Sequence, residues 1–452
     1  MATSLIRKYN IPGPRYTSYP TVPFWKEELD LTGWKKQLKK TFNLTNKKEG
    51  ISLYIHLPFC ESLCTYCGCT TRITINHAVE KPYIDTVLKE WEMYLKLFGD
   101  VPEITEIHLG GGTPTFFSPE NLAILIEGIK QTVHVRKDAE LGFEGHPNNT
   151  TEAHLITLYN LGFRRVSFGI QDFDPKVQKV INRIQTYEQV EKVVDQARAI
   201  GYSSINFDLI YGLPLQTTDS IHDTFNKVKN LQPDRIAFYS YAHVPWVKPG
   251  QRMFTEKDLP SNEEKRELYE LGKKLLTEIG YLEIGMDHFS LPNDALYLAA
   301  NNGNMHRNFM GYTTNHSMLC VGLGVSAIGD SWRAYGQNLK KVEKYKNAVE
   351  GGEFPIFKTH VLSEQEAFIR RHITNLMCQF ETTWECSNED AKIFEEVEQR
   401  LSDMIKDGLV EYKPGSLTIT KLGRPFARNA CMALDISLWK ETDTSQKFSL
   451  TI

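Results

Sequence analysis

Four of the eight cysteines in this 452-residue chain fall within ten residues, a density of thiols that is typical of a metal site. They are Cys60, Cys64, Cys67 and Cys69, separated by three, two and one residues. Thiolates bind zinc or iron–sulfur clusters, but no second Cys pair or His pair follows at zinc-finger distance. The spacing therefore favours an iron–sulfur cluster over a zinc knuckle or a loop closed by a disulfide.

Composition limits the classes of partner and compartment. Lys and Arg number 52 against 56 Asp and Glu, a net charge of −4, and no dense basic stripe is present, so a nucleic acid is not expected as the principal partner. The N-terminus lacks the apolar core of a signal peptide, and no apolar run approaches the roughly 20 residues of a membrane span. We therefore expect a cytoplasmic protein without a membrane span. Four further cysteines should then stay unpaired: Cys320, Cys378, Cys386 and Cys431.

Short runs rich in β-branched and aromatic residues alternate with amphipathic helical patterns through the first 350 residues. Two of the predicted helices start with a capping residue before a proline, at Ser118-Pro119 and Asp174-Pro175. Six successive units predict an α/β fold with a parallel sheet, a partial (β/α)6 TIM-like barrel. The six predicted strands are 52–57, 103–109, 140–145, 165–171, 204–211 and 235–241.

Polar side chains collect where the predicted strands end, which is where barrels of this kind carry their working residues. Gly110-Gly111-Gly112 follows the second strand and fits either a tight turn or a loop that approaches a ligand closely. An ordinary salt bridge is the alternative to a binding role for Glu144, Asp208 and Arg183. The strand ends carry Tyr54 and His56, Glu144 and His146, Gln171 and Asp172, Asn206 and Asp208, and Tyr239 with His243.

Strand–helix alternation stops near residue 350, which predicts a second domain. A capping box at Ser363–Glu366 opens a helix, 395–407 is a second amphipathic helix, and 409–412 with 417–420 form a plausible hairpin before a last helix from Lys421. This pattern is typical of a small, mainly helical, winged-helix-like module, here without a basic excess and so better suited to a lid. We predict three segments: an arm over the barrel mouth (1–45), the barrel (46–350) and the C-terminal domain (351–452).

The Cys-x3-Cys-x2-Cys run resembles the signature of the radical S-adenosylmethionine (SAM) enzymes, and nearly the whole chain resembles their oxygen-independent coproporphyrinogen III oxidase branch. The segments that carry this resemblance are Arg15–Pro20, Gly110–Thr115, Gly169–Phe173, Asn182-Arg183, Asp208–Pro214, Gly285–Phe289, His306–Phe309, Gly311–Thr314 and Gly322–Ile328.

The resemblance implies a [4Fe-4S] cluster with one open iron corner and two SAM molecules. Cys69 is separated from Cys67 by one residue, too tight to cap the fourth corner, and is left off the cluster. The implied cluster ligands are Cys60, Cys64 and Cys67, and the implied SAM contacts are Tyr54, Gly112, Thr113, Glu144, Gln171, Arg183, Asp208, Ala242 and Ile328. Tyr54, Cys69, Glu144 and Phe309 are the catalytic candidates.

The activity that the resemblance implies is oxidative decarboxylation of two propionates of coproporphyrinogen III to vinyl groups, giving protoporphyrinogen IX for haem synthesis. A 5′-deoxyadenosyl radical would remove hydrogen from each propionate β-carbon. The implied partners are a low-potential electron donor such as flavodoxin or ferredoxin, and the implied state is a monomer. The alternatives are a non-enzymatic haem chaperone and a radical SAM methyltransferase or haem-degrading relative.

Two local departures from the family pattern stand out: Met310 replaces an expected Gln, and Gly145-His146-Pro147 replaces Val-Asp-Pro. Met310 offers only a weak sulfur acceptor where an amide would donate a hydrogen bond. For His306 and Arg307 two hypotheses stay level, a solvated loop and the recognition of a carboxylate, which the arginine fork fits well.

Overall fold

A computed structural model describes residues 3–26, 28–385, 392–440 and 448–451. The chain divides into two compact units. The first comprises Met1–Asp30, Ala295–His316 and Thr359–Ile452, and the second comprises Leu31–Asp294 and Ser317–Lys358. The three segments predicted from the sequence remain a prediction about domain organisation.

The second unit is built on six parallel strands that pair in chain order, each with the next. Their side chains alternate between the barrel interior and the helices outside. The α/β class and the parallel partial barrel are thus confirmed. The six barrel strands, called first to sixth below, are Ile51–Leu57, Glu103–Gly111, His134–Gly145, Arg165–Gln171, Ser204–Tyr211 and Arg235–Ser240.

Strand bounds agree with the sequence prediction except at four ends. The first strand begins at Ile51 instead of residue 52. The second strand continues to Gly111, the third begins at His134 instead of residue 140, and the sixth ends at Ser240 instead of 241. The early start of the third strand has a simple cause: His134 and Val135 pair with Glu103 and Ile104, and a register shift follows that a two-residue alternation does not reveal.

Six further strands extend the sheet beyond the barrel on both sides. Cys320–Leu323 pairs parallel with the first strand, while His288–Ser290 pairs antiparallel with the sixth. The barrel therefore stays open, as a sheet with two edges. The other four strands of this sheet are Leu282–Gly285, Ile328–Asp330, Ala334–Asn338 and Ile356–Val361.

Helices cover the outer face of the sheet, and the predicted caps are present. Ser118 Oγ accepts from the Asn121 amide, and Asp174 accepts from Lys176 and Val177. The helices of this unit are Leu31–Thr45, Glu80–Phe98, Pro119–Lys130, Glu152–Asn160, Pro175–Val180, Tyr187–Ile200, Thr218–Leu231, Asn262–Glu278 and Val342–Glu350, with 3-10 turns at His77–Val79, Pro114–Phe116, Pro249–Met253 and Glu256–Asp258.

One buried carboxylate ties the helix Glu80–Phe98 to the strands that follow the barrel. Glu90 is fully buried and accepts hydrogen bonds from the Gly324 amide (2.8 Å), Asn338 Nδ2 (2.7 Å) and the Tyr345 hydroxyl (2.6 Å). Burial raises the pKa of Glu90 to about 7, although the three donors lower it. The contacts fix the turn at Gly324, which leads from Cys320–Leu323 to Ile328.

The first unit is mainly helical, as the sequence predicted for the C-terminal region, and its described residues include two small antiparallel sheets. Ser363 and Glu366 form the predicted capping box, and Val410–Lys413 with Ser416–Ile419 form the predicted hairpin. The remaining strands are Glu381–Thr383, His306–Asn308 and Gly311–Thr313; the helices are Thr3–Tyr9, Ala295–Asn301, Glu364–Gln379, Lys392–Lys406, Ala427–Leu434 and Ile436–Trp439, with 3-10 turns at Val22–Phe24 and Arg424–Phe426.

One expectation for this unit is wrong: the helix predicted from Lys421 begins at Ala427, because Arg424–Phe426 first forms a 3-10 turn around Pro425. Cys320, Cys378 and Cys431 are free and buried as expected, while Cys386 lies outside the described residues. No helix in the described part of the chain combines the length and apolarity that crossing a lipid bilayer requires.

Candidate functional site

A cavity of about 420 Å³ lies at the carboxyl ends of the barrel strands. Residues from five of the six strand ends line it, together with the cysteine run. Ten of the implied cluster ligands, SAM contacts and catalytic candidates meet on its wall: Cys60, Cys64, Cys67, Cys69, Gly112, Thr113, Glu144, Gln171, Arg183 and Asp208. The volume is within the roughly 300–1,000 Å³ of pockets that take drug-sized ligands.

The cysteine loop is fixed by its neighbours through backbone groups. Thr65 donates from its amide to Ile181 O (2.9 Å) and from its hydroxyl to Val180 O (3.0 Å). Asn182 Nδ2 donates to Leu63 O at 2.8 Å. The turn after the helix Pro175–Val180 therefore sets the position of the loop between Cys60 and Cys67.

The triple glycine docks the second strand against the entry to the cysteine loop. The Gly112 amide donates to Leu57 O (2.8 Å) and the Thr113 amide to Phe59 O (3.0 Å). A Cβ at residue 112 would lie 2.6 Å from the carbonyl of Pro58, and Gly111 has φ +115°. Both of these amides are used inside the protein, and the Thr113 carbonyl accepts from the Phe116 amide at 2.9 Å.

Arg183 joins the cysteine loop to the fourth strand. Its Nε and Nη2 donate to Gly169 O, at 3.1 and 2.6 Å, and its Nη1 lies 3.6 Å from Cys64 Sγ. Gln171, at the end of the same strand, is 8% exposed and holds a left-handed φ of 68°, a strained conformation that is often found at functional sites.

Glu144 is the anionic group opposite the glycine loop. Its Oε2 accepts from the Gly111 amide (3.2 Å), and its Oε1 lies 3.4 Å from His108 Nε2. Burial raises the pKa of Glu144, but these contacts outweigh it, so the net pKa is below the usual value. Tyr54 stacks on His108 with ring centroids 6.2 Å apart, and its hydroxyl lies 3.1 Å from His56 Nδ1.

Asp208 forms a second carboxylate on the cavity wall. Its oxygens accept from Ser167 Oγ (3.1 Å) and Asn206 Nδ2 (2.8 Å). Burial raises the pKa of Asp208 to about 6, and the nearby charge of Glu144 adds to the rise. The alternative to a binding role for these residues was an ordinary salt bridge. Within the part of the chain that the structure describes, neither Asp208 nor Arg183 forms one. The charged-group neighbour of Glu144 is His108.

Four of the implied SAM contacts and catalytic candidates are not on the cavity wall. Tyr54 flanks Gly110 together with Glu144. Ala242 O shares the Gln251 Nε2 donor with Tyr66 O, both at 3.2 Å, which connects it to the cysteine loop. Ile328 follows the Gly324 turn and packs against Gly322, the partner of Tyr54 in the sheet. Phe309 belongs to the first unit, where its ring meets Trp25 edge-on.

Several residues on or beside the cavity were missed in the sequence. Tyr66 lies on the wall, and its position inside the cysteine run was the available signal. Ser167 also lines the cavity; the two-residue alternation that points Gly169 inward would have identified it. Asp172, by contrast, was singled out in the sequence but does not line the cavity. It is fully buried and accepts from Gln216 Nε2 at 2.6 Å, so it holds a loop.

The thiols of the cysteine run differ in their electrostatic surroundings. No three His, Cys, Asp or Glu side chains in the described ranges come close enough to hold one metal ion. Contact with Cys69 and the charges of Lys248 and Arg183 lower the pKa of Cys67 to about 6. Burial raises the pKa of Cys60 to about 11, although Thr113 Oγ1, 3.4 Å from its sulfur, lowers it. A bound iron would override this rise.

Comparison with known proteins agrees with this geometry. The Radical SAM superfamily pattern matches residues 54–228. The chain is 38% identical over 437 residues to the oxygen-independent coproporphyrinogen III oxidase of Helicobacter pylori strain J99, covering 95% of each chain. It is 35% identical over 456 residues to the Escherichia coli K12 protein of that name, covering 99% of this chain and 98% of that one.

A solved structure of coproporphyrinogen III oxidase from Escherichia coli, described as a radical SAM enzyme, superposes with a TM-score of 0.89 and 33% identity, covering 96% of this chain and 98% of that chain. The sequence match to these relatives and the superposition thus each extend over almost the whole chain. The chain belongs to the oxygen-independent coproporphyrinogen III oxidases of the radical SAM superfamily.

Proposed function

We propose that the protein catalyses the oxygen-independent oxidative decarboxylation of two propionate side chains of coproporphyrinogen III, giving protoporphyrinogen IX in haem biosynthesis. The observation that carries this proposal is the alignment, over 95% of the chain and at 38% identity, to an oxygen-independent coproporphyrinogen III oxidase. The gathering of the cysteine run and six implied SAM contacts in one cavity supports it.

We assign Cys60, Cys64 and Cys67 as the ligands of a [4Fe-4S] cluster, and SAM as the second cofactor. When bound, the two would supply one-electron cleavage of SAM and hydrogen-atom abstraction at the propionate β-carbon. Loss of CO2 from the substrate, with one electron passing to an acceptor, then leaves the vinyl group. Two propionates require two rounds.

The chain's own residues position these groups. Gly112 and Thr113 line the cavity and are assigned to SAM, where the Gly112 carbonyl suits the ammonium group because the amides of both residues are occupied within the protein. Glu144, held anionic by its contacts, suits the same ammonium group or the ribose hydroxyls. Arg183 places a positive charge 3.6 Å from Cys64 Sγ, at the edge of the assigned cluster site.

We assign Cys69 as a catalytic candidate that is not a cluster ligand. It is exposed in the cavity and hydrogen-bonds Cys67, so it is close enough to influence a ligand without being one. Reduction of the cluster calls for a low-potential one-electron donor, for which flavodoxin or ferredoxin is suitable. We expect a monomer acting in the cytoplasm.

An anaerobic assay tests the activity. The reconstituted protein is supplied with SAM, a low-potential reductant and coproporphyrinogen III, and products are read by mass spectrometry. Loss of two CO2 per substrate with two 5′-deoxyadenosines supports the proposal. Deoxyadenosine with a methylated or ring-opened tetrapyrrole would contradict it, as would tight haem binding without turnover.

A further inference from the structure

The fourth barrel strand ends in a strained turn at Gln171, on the wall of the cavity. Between Gly169 and Gln171 the pairing with the fifth strand shifts, so Ile170 is an extra, bulged residue. The Asp172 amide then donates to Ile170 O at 2.9 Å across Gln171, whose φ is 68°. A three-residue turn of this kind is rare and strained, and bulges beside functional sites re-aim side chains. The turn therefore sets the direction of Gln171, and its surroundings must hold it in place.

Gln185 holds the two carbonyls that precede this turn. It is fully buried, and its Nε2 donates to Ile170 O at 2.6 Å and to Gly169 O at 3.2 Å. Gly169 O also accepts both hydrogen bonds from Arg183. One side-chain amide thus fixes the backbone from which Gln171 turns and the carbonyl to which the guanidinium of Arg183 is bound.

The position of Gln185 is set in turn by Gln178, which lies in the helix between the two segments. Gln178 Oε1 accepts from the Gln185 amide at 3.1 Å, and its Nε2 donates to Gln185 O and to Asp172 O, both at 2.9 Å. Gln178 therefore ties the backbone of Gln185 to the residue that closes the turn.

Gly169 is the point over which the two implied SAM contacts pack. A Cβ at this residue would lie 2.6 Å from Gln171 Nε2 and 2.8 Å from Arg183 Nη2, so both side chains lie directly over the glycine. All three residues line the cavity. A shift of this strand end would therefore move both side chains together.

We propose that Gln185 is a positioning residue for SAM, which holds the strained turn and so keeps Gln171 and Arg183 in the geometry that binds SAM. The inference rests on the assignment of these two residues to SAM in the proposed function. Gln185 is not on the cavity wall, so it acts through the two carbonyls that it binds. Loss of its two hydrogen bonds should let the strained turn relax and lower the affinity for SAM.

Gln185→Met tests this role, because methionine is of similar length and flexibility but has no amide to donate. Calorimetry on the anaerobic, cluster-loaded protein should show SAM affinity reduced by about 5- to 150-fold, which corresponds to the loss of two hydrogen bonds. Iron content should not change, because separate bonds from Thr65 and Asn182 hold the cysteine loop. Gln185→Asn is one methylene shorter and cannot reach both carbonyls, so it should weaken SAM binding to a smaller extent.

Thermal unfolding separates positioning from a purely structural role. In Gln185→Met, Ile170 O keeps the Asp172 amide and Gly169 O keeps Arg183, so neither carbonyl loses its last donor. The substitution also removes Gln185 Oε1, a buried oxygen without a hydrogen-bond partner among the described residues. The Tm should therefore stay close to that of the wild type. A lower Tm with unchanged SAM affinity would overturn the proposal.

Gln189→Met is the matched control. Gln189 is an exposed glutamine a little further along the chain, and its Oε1 accepts from the Thr186 amide at 2.7 Å in the cap of the helix Tyr187–Ile200. Because this contact does not involve the strand end, the control should lower the Tm slightly and leave SAM affinity unchanged. Equal losses of SAM affinity in Gln189→Met and Gln185→Met would also overturn the proposal.

The outcome is independent of the activity assay. If coproporphyrinogen III is not decarboxylated but SAM affinity still depends on Gln185, the proposed function fails and the positioning role stands. If decarboxylation occurs and both Gln185 variants bind SAM like the wild type, the positioning role fails and the proposed function stands.

Discussion

The entry to the cysteine loop packs so closely on Gly112 that a methyl group at this position should displace it. A Cβ at residue 112 would lie 2.6 Å from Pro58 C and O and 2.9 Å from Phe59 O, all backbone atoms. Ordinary contacts begin near 3.4 Å, so Gly112→Ala must move the entry to the cysteine loop by roughly 0.8 Å. The displaced segment leads directly to Cys60.

Two hydrogen bonds depend on this contact, from the Gly112 amide to Leu57 O and from the Thr113 amide to Phe59 O. At about 0.5–1.5 kcal/mol each, their loss costs about 1–3 kcal/mol. That lowers the ratio of docked to undocked loop by roughly 5- to 150-fold. We expect Gly112→Ala to reconstitute with less iron per chain and to bind SAM more weakly.

The assay measures iron and sulfide per chain, visible cluster absorption, and SAM affinity after anaerobic reconstitution. Gly250→Ala is the matched control, since its Cβ would touch the other side of the same loop at ordinary distances, 3.4 Å from Leu63 Cδ2 and 3.5 Å from Thr65 O. It should behave like the wild type. Full iron content and unchanged SAM affinity in Gly112→Ala would refute the reasoning.

Three further predictions follow from buried or charged groups. Alanine at any of the three assigned cluster thiols should abolish cluster absorption, whereas Cys69→Ala should keep it; a fall in iron of a quarter or more would make Cys69 a ligand. Arg183→Lys cannot reproduce the paired bonds to Gly169 O and should weaken SAM binding about tenfold at unchanged iron content, as calorimetry would show. The raised pKa of Glu90, about 7 against 4.5 when unfolded, means that the native state binds this proton more tightly. As pH falls from about 7 to 4.5, the stability of the wild type should therefore rise relative to Glu90→Gln by about 3 kcal/mol in urea titrations, and parallel pH profiles would contradict this.

The sequence predicted those parts of the fold that local patterns encode. Alternation of strand and helix gave six parallel strands with at most six residues of error at an end, and the caps at Ser118 and Asp174 are formed as expected. These features depend on hydrophobic periodicity and on side chains that bond to their own backbone neighbours, so they can be recognised without knowing the tertiary structure.

Much of the candidate site was also predictable, because barrel strands bring their carboxyl ends together and the strand ends were visible. Ten predicted residues line one cavity. The roles of individual groups were not predictable. Whether a glycine forms a turn or a contact depends on which backbone lies opposite it, and at Gly112 that is Pro58, more than fifty residues away in the chain.

The sequence by itself determined the class of fold, the iron–sulfur chemistry of the cysteine run and, through resemblance, the family. Only the tertiary structure decided which residues share a compact unit, since the first unit draws on three separate stretches of chain. It also decided that Arg183 donates to the carbonyl of Gly169, a partner that local sequence patterns do not reveal. The physical reason is the same in each case: burial and hydrogen-bond partners are set by segments distant in sequence, and periodicity carries no information about them.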